Sequence, residues 1–96
     1  MDKKEAQLIL GKYLAHYRKL SYAELASWVR DGRVDTSEAV GESGTDYQIE
    51  IQFFWDGRPD GDVRVFGSIS DGRAPSCFSP LTDSFILSSE GSFVDE

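Results

Sequence analysis

Residues 47–56 read Tyr-Gln-Ile-Glu-Ile-Gln-Phe-Phe-Trp-Asp, and this segment limits the possible folds more than any other. Large apolar side chains occupy every second position from Tyr47 to Trp55, and the polar residues Gln48, Glu50 and Gln52 alternate with the first four of them. Successive side chains of a β-strand point to opposite faces, so this spacing predicts a strand with one apolar and one polar face. The apolar face must be covered by other elements, and the polar face is left for water or for a neighbour.

Two helices are predicted before the strands. Apolar side chains recur at three- and four-residue steps between about residues 3 and 19. Ser21 and Glu24 form a capping box that begins a second helix. Asp31-Gly32 ends that helix, because glycine takes the left-handed conformation most easily. Gly11 lies inside the first helix, where we expect a neighbouring element to approach closely.

After Arg33 the helical period gives way to alternation and turn residues. The predicted strands cover residues 34–42, 45–56, 62–71 and 84–88, with a short fifth strand at 92–94. Residues 35–38 are also compatible with a helical turn, and Ser79-Pro80 with a single turn. The predicted fold class is α+β: one domain, residues 1–96, with two N-terminal helices packed on one face of a four- to five-stranded antiparallel meander sheet.

Three segments carry a resemblance to a wider group of proteins: residues 44–51 (Gly-Thr-Asp-Tyr-Gln-Ile-Glu-Ile), 83–87 (Asp-Ser-Phe-Ile-Leu) and 91–94 (Gly-Ser-Phe-Val). They resemble segments of small uncharacterised bacterial α+β proteins, over about the C-terminal two-thirds of the chain. The resemblance implies a bacterial origin. It carries no activity and no functional residue across to this chain.

The net charge of −7 is distributed unevenly along the chain. Residues 1–33 hold seven basic and four acidic side chains, whereas residues 34–96 hold three basic and thirteen acidic ones. An acidic C-terminal part disfavours nucleic acid as a partner and favours a basic protein. Acidic loops also keep a small protein soluble without any partner, and this simpler explanation stays open.

The compartment is predicted from what the sequence lacks. No apolar run is long enough to cross a bilayer, and the N-terminus has no secretory signal, so we expect no membrane partner. Cys77 is the only cysteine, so an internal disulfide cannot form. These observations favour a cytoplasmic location.

Two aromatic residues stand at unexpected positions. Phe54 falls on the polar face of its strand, and Phe66 stands between Arg64 and Ser68 in the next one. If Trp55 pairs near Val63, Phe54 faces Arg64 and Phe66 becomes its diagonal neighbour on the same face. We therefore predict an interaction surface for a protein target or a second copy. Its residues are Phe54, Phe66, Arg64 and Gln52.

A different arrangement would remove this surface. The loop at residues 72–83, which carries Phe78 and Leu81, would bury both phenylalanines if it folded across the sheet. Exposed aromatic side chains are also common on folded proteins without any function.

Metal binding and catalysis find little support. The weak metal candidates are four aspartates that would bind a cation only if they met at one end of the sheet: Asp56, Asp60, Asp62 and Asp71. Their spacing is not that of an EF-hand loop, and aspartate is a usual turn residue. His16 is the only histidine and falls on the polar face of the first helix, with no reason to expect a pair with Cys77. We predict no metal, no cofactor and no catalytic residue.

The start of the second helix, residues 21–26, is similar to the first helix of a helix-turn-helix unit. That unit needs a recognition helix next, whereas residues 30–34 run into a strand pattern. We therefore predict no nucleic-acid partner.

The preferred prediction is a non-enzymatic module that binds a basic protein or itself through its sheet, for example an inhibitor or immunity-like protein. The alternative is a domain that binds a small ligand or metal in a pocket between sheet and helices, near Tyr13, Tyr17 and Trp28.

Overall fold

The computed structural model describes residues 2–71 and 80–94. Two helices, α1 (Lys3–Tyr17) and α2 (Tyr22–Asp31), precede four strands, β1 (Val34–Val40), β2 (Asp46–Asp56), β3 (Asp62–Ser70) and β4 (Leu81–Leu87). The strands pair antiparallel in chain order, and both helices pack on one face of the sheet. The predicted α+β architecture is confirmed, with four strands. In the described part of the chain, neither helix has the length and apolar character needed to cross a membrane.

Side-chain caps set the helix ends. Asp2 accepts a hydrogen bond from the Glu5 amide at 3.1 Å and begins α1. The Ser21 hydroxyl accepts from the Glu24 amide at 3.2 Å, so this half of the predicted capping box is present. Gly32 ends α2 with φ of 67°. The helix α1 ends two residues earlier than predicted, because the Lys19 and Leu20 amides donate to carbonyls three residues back and tighten the chain into a turn.

The alternation in β2 is confirmed. Its odd-numbered residues Tyr47, Ile49, Ile51 and Phe53 are buried beneath the helices, and Trp55 is half-buried at the end of the strand. On β3, Val63, Val65 and Ile69 are buried opposite them. The helices complete this core with a stripe of apolar residues: Ala6, Leu10, Leu14 and Tyr17 from α1, and Leu25 and Ala26 from α2.

A glycine lets α1 approach the sheet. Gly67 lies on the inner face of β3, and a Cβ there would stand 2.8 Å from Leu10 Cδ1 and 3.1 Å from Ile51 Cδ1. The expectation about Gly11 was wrong: a Cβ at Gly11 would meet nothing within 4 Å, because it lies on the exposed side of α1. The close approach of α1 is therefore at Gly67 in β3, where the space admits only a residue without a side chain.

Residues 35–38 lie in β1, as the strand prediction stated, and do not form the alternative helical turn. The main differences from the predicted strands are at the C-terminal end of the sheet. The strand β4 begins at Leu81 rather than Ser84, and Leu81 packs against the core. The predicted fifth strand is reduced to one bridge between Phe93 and Leu87. The turn predicted at Ser79-Pro80 falls partly outside the described residues, since the structure describes Pro80 alone, without regular structure.

Replacing these two glycines should have opposite effects on stability. Gly67→Val places methyl groups where Leu10 and Ile51 already pack, so we expect the free energy of unfolding to fall by about 1–3 kcal/mol. Gly11→Ala adds a methyl group in open space on a helix and should raise it by about 0.5–1 kcal/mol. Urea unfolding of both variants beside the wild type measures the two effects. Equal stability of Gly67→Val and wild type would contradict the close packing of α1.

Candidate interaction surface

The outer face of the sheet, opposite the helices, carries the even-numbered residues of all four strands. Even residues pair with even residues throughout: Val34 with Gln52, Gln52 with Phe66, and Phe66 with Ser84. Since the buried residues of β2 and β3 are the odd-numbered ones, the even-numbered side chains must project from the other face. This register makes the whole outer face a single surface.

Both predicted phenylalanines are on this face, in the predicted arrangement. Phe54 pairs with Arg64, and Trp55 pairs with Val63, as the sequence indicated. The rings of Phe54 and Phe66 meet edge to face, with their centroids 6.5 Å apart and their planes at 65°. Phe54 is 45% exposed and Phe66 is half-buried.

Two further apolar residues complete the patch. Val34 lies beside Gln52, diagonal to Phe54, and is 50% exposed. Ile86 lies beside Arg64, diagonal to Phe66, and is half-buried. We call these four residues, Val34, Phe54, Phe66 and Ile86, the outer apolar cluster. Val34 and Ile86 were not among the residues predicted for this surface, because their places depend on the pairing of β1 and β4.

Polar partners hold the centre of the cluster in place. The Nε and Nη2 atoms of Arg64 both donate to Asp56 Oδ1, at 3.1 and 3.0 Å, and its Nη1 donates to the Ser84 hydroxyl at 3.0 Å. The guanidinium therefore bridges β2, β3 and β4. Nε2 of Gln52 donates to Glu50 Oε1 at 2.6 Å. The structure thus brings all four predicted surface residues onto one face.

Acidic side chains share the outer face with the outer apolar cluster. Arg64 is the only basic residue at an even position of the four strands, and its charge is paired with Asp56. The acidic residues at even positions of the strands are Glu38, Asp46, Glu50, Asp56 and Asp62. The basic residues of the chain up to Arg33 precede the sheet and lie in the helical layer or beside it. The helical layer therefore carries most of the basic residues, whereas the outer face of the sheet carries mainly acidic ones.

A groove extends the surface towards the β1–β2 turn. It encloses about 700 Å³ and is open to solvent, and its lining includes Thr36, Glu38, Gln48, Glu50 and Ser68. Pro80 stands at its border. Of the segment that the sequence suggested as a cover, Phe78 lies outside the described residues, and Leu81 packs against the core instead.

Two of the three aromatic residues suggested as a ligand pocket, Tyr17 and Trp28, pack against each other. The Tyr17 ring centroid is 5.6 Å from that of Phe53 and 6.2 Å from that of Trp28, and all these contacts are edge to face. The guanidinium carbon of Arg33 stands 3.9 Å from the centroid of the Trp28 ring. Tyr17 and Trp28 therefore fill space between α1, α2 and β2.

The Tyr17 hydroxyl donates to Asp35 Oδ2 at 2.6 Å, and Arg33 Nε donates to Asp35 Oδ1 at 2.7 Å. Burial, followed by the hydrogen bond to Asp35, raises the pKa of Tyr17. Burial also acts to raise the pKa of Asp35, but the bonds from Arg33 and Tyr17 together outweigh it and lower that pKa. The bonds of Asp35 with Tyr17 and Arg33, and the contact of Arg33 with Trp28, tie the helices to the edge strand β1.

Tyr13, the third aromatic residue suggested for a pocket, borders an open groove of about 430 Å³ on the side of α1, together with Lys12 and His16.

The four aspartates considered as weak metal candidates do not all lie together, because Asp71 is separated from the other three. Asp56 pairs with Asp62 at one end of the sheet, whereas Asp71 follows Ser70 at the opposite end. Arg64 and Arg30 form ion pairs with Asp56 and Asp60, both at 3.0 Å. Within residues 2–71 and 80–94, no three His, Cys, Asp or Glu side chains are grouped as metal ligands would be.

Of the two residues considered for catalysis, the structure describes only His16. His16 is exposed on α1 and contacts the Tyr17 ring at a centroid distance of 5.4 Å. Cys77 lies outside the described residues. The helix α2 leads directly into β1, so no recognition helix follows it.

Comparison with known proteins identifies no relative: no protein-family model, no curated protein and no solved structure matches the chain. The structure supports one part of the resemblance described above, namely that the chain has a small α+β fold. The candidate surface is therefore defined by its geometry and charge alone.

Glu5 joins α1 to the β1–β2 turn. The Ser43 hydroxyl donates to its carboxylate at 2.7 Å, the Tyr47 hydroxyl at 2.8 Å and the Ser43 amide at 3.1 Å. The hydrogen bond from the Ser43 side chain, followed by that from Tyr47, lowers the pKa of Glu5 below its ordinary value of 4.5. The ionised carboxylate is therefore the form that stabilises the fold.

Removing this carboxylate should change the pH dependence of stability. Because its pKa is lower in the folded state, Glu5 stabilises the fold above its ordinary pKa, and this contribution is lost as the pH falls through the folded-state pKa. We expect Glu5→Gln to melt at a lower temperature than wild type at neutral pH and to lose less of its Tm between about pH 6 and pH 3. Glu42→Gln, in the same turn, is the control. Parallel Tm profiles for Glu5→Gln and wild type would contradict this role.

Proposed function

We propose that this chain is a protein-binding module of the bacterial cytoplasm, which binds a basic protein through the outer face of its sheet. The observation that carries the proposal is the outer apolar cluster, whose members Phe54 and Val34 are 45% and 50% exposed on a face that also carries acidic residues. A central apolar patch with a polar rim is the usual composition of a protein interface. No catalytic residue is assigned.

The apolar cluster supplies the anchor for binding. Phe54 and Phe66 are large side chains on neighbouring strands, and their positions are set by the sheet pairing and by the bonds of Arg64. Side chains that are already ordered lose little conformational entropy on binding. Aromatic anchors of this kind carry a large share of the binding energy in measured interfaces.

The charge of the face selects the class of partner. Glu38, Glu50 and Asp62 project on the same side as the cluster, and Arg64, the one cation at the even strand positions, is already paired. Such a face attracts basic surfaces and repels phosphate backbones. An inhibitor of a basic nuclease or toxin is one concrete version, since an acidic face can occupy a groove built for nucleic acid.

A capture experiment with matched variants tests this function. The wild type and the double variant Phe54→Ser/Phe66→Ser, immobilised, are compared for the basic proteins that they retain from a bacterial lysate at low and high salt. We expect a basic partner that binds the wild type, is released by salt and binds the double variant at least about tenfold more weakly, as expected when an aromatic anchor is lost. Unchanged melting temperatures would show that the double variant is folded.

Leu8→Ser is the control, because Leu8 is a 69% exposed apolar residue on α1, in the opposite layer. It should retain the partner fully. A partner lost with Leu8→Ser but kept by the double variant would place binding on the helical layer and contradict the proposal. Retention of the same proteins by all three chains, with no effect of salt, would also contradict it.

A further inference from the structure

The two edge strands of the sheet differ in whether another segment of the chain pairs with them. At the β4 edge, the Val94 amide donates to the Ile86 carbonyl at 2.9 Å, and Phe93 bridges to Leu87. The β1 edge has no such cover among residues 2–71 and 80–94. An open edge presents unpaired amides and carbonyls to any strand that can match them.

The register of the β1–β2 hairpin shows which residues of β1 face the open side. The Gly41 amide donates to the Thr45 carbonyl at 2.9 Å, so Gly41 directs its backbone groups towards β2. In an antiparallel ladder these directions alternate, and the odd-numbered residues of β1 therefore bond to β2. The open amides and carbonyls belong to the even-numbered residues: Val34, Thr36, Glu38 and Val40.

The strand β1 is complementary to itself. When two copies run antiparallel around a two-fold axis at Ser37, Val34 of each faces Val40 of the other, and Thr36 faces Glu38. Every residue that faces the open edge then meets another such residue, as backbone pairing requires. Val34 and Val40 are 50% and 70% exposed in the single chain, and they cover each other in this pairing.

Other registers of this antiparallel β1–β1 pair bring unfavourable residues together. Moving the axis to Glu38 places two carboxylates directly opposite each other, which destabilises a sheet. Moving it to Thr36 places Val40 opposite Gly32, which ends α2 in a left-handed conformation and cannot continue the ladder. The axis at Ser37 is the register that pairs all seven residues of β1.

We propose that two copies of this chain associate through β1, around a two-fold axis at Ser37, into one continuous eight-stranded sheet. This contact uses the edge of the sheet and covers Val34, one member of the outer apolar cluster, but it leaves Phe54 and Phe66 on the outer face of each copy. Substitutions at Phe54 and Phe66 therefore distinguish it from the binding of the basic partner proposed above. A single strand pair buries little surface, so the dimer forms at high protein concentration.

Disulfide trapping tests the register directly. Residues facing each other across the axis form a pair without mutual backbone hydrogen bonds, with Cα atoms about 4.5 Å apart, a distance that a disulfide can span. In a Cys77→Ser background, we expect Ser37→Cys to cross-link into a dimer in a glutathione redox buffer. Thr82→Cys, exposed on the outer face of β4, is the control and should stay monomeric. Equal cross-linking of the two variants, or none with Ser37→Cys, would overturn the proposal.

Sedimentation velocity without cross-linking gives a second, independent measure. Val40→Lys should abolish the dimer at concentrations where the wild type forms it. Leu8→Lys should not, although Leu8 is an apolar residue of α1 that is exposed to a similar extent. The dimer should strengthen with salt and in Glu38→Gln, because the two Glu38 side chains are diagonal neighbours across the axis. Persistence of the dimer in Val40→Lys, or its loss in Phe54→Ser/Phe66→Ser, would place the contact elsewhere and contradict the proposal.

Discussion

The packing of α1 across the inner face of β3 and β4 is the contact on which the rest of the structure depends. It is possible because Gly67 leaves room for Leu10 and Leu14 beside Ile51. Once this contact forms, the odd-numbered side chains of β2 are committed to the interior. A shift of one residue would expose all of them and bury Gln48 and Gln52, so the register of the strand is strongly determined.

The same packing separates the charges of the chain. The helices precede the sheet in sequence and carry most of the basic residues, while the even-numbered strand positions carry acidic ones. Within residues 2–71 and 80–94 the helices cover one side of the sheet, and such a sheet presents its other face to solvent or to a partner. The acidic face and its apolar cluster therefore follow from the order of the elements along the chain and from the register of β2.

Local patterns in the sequence predicted the features that depend on near neighbours. The alternation of β2, the cap at Ser21 and the facing of Phe54 and Arg64 follow from residues that are close in sequence, because a short loop joins β2 to β3. Val34 and Ile86 were missed because their positions depend on strands whose starts or pairings the local pattern did not define. The early start of β4 was missed because Pro80 precedes Leu81 and indicated a loop.

Other errors came from contacts between distant parts of the chain. The need for a glycine at position 67 arises only when α1 crosses β3, and no local pattern shows that crossing. The sequence also left open that Asp71 meets Asp56, but the nine-residue strand Asp62–Ser70 carries the chain to the opposite end of the sheet. The interaction surface, by contrast, was visible early because an aromatic residue at a polar strand position is a local anomaly.

Nuclear Overhauser contacts from the methyl groups of Ile51 test the central claim most directly. The account predicts strong contacts from Ile51 Cδ1 to the methyl groups of Leu10 and Leu14, since all three surround Gly67. It also predicts no contacts between the side-chain amides of Gln48 or Gln52 and these leucines. Contacts from the glutamine amides to Leu10 and Leu14, with Ile51 showing none, would contradict it.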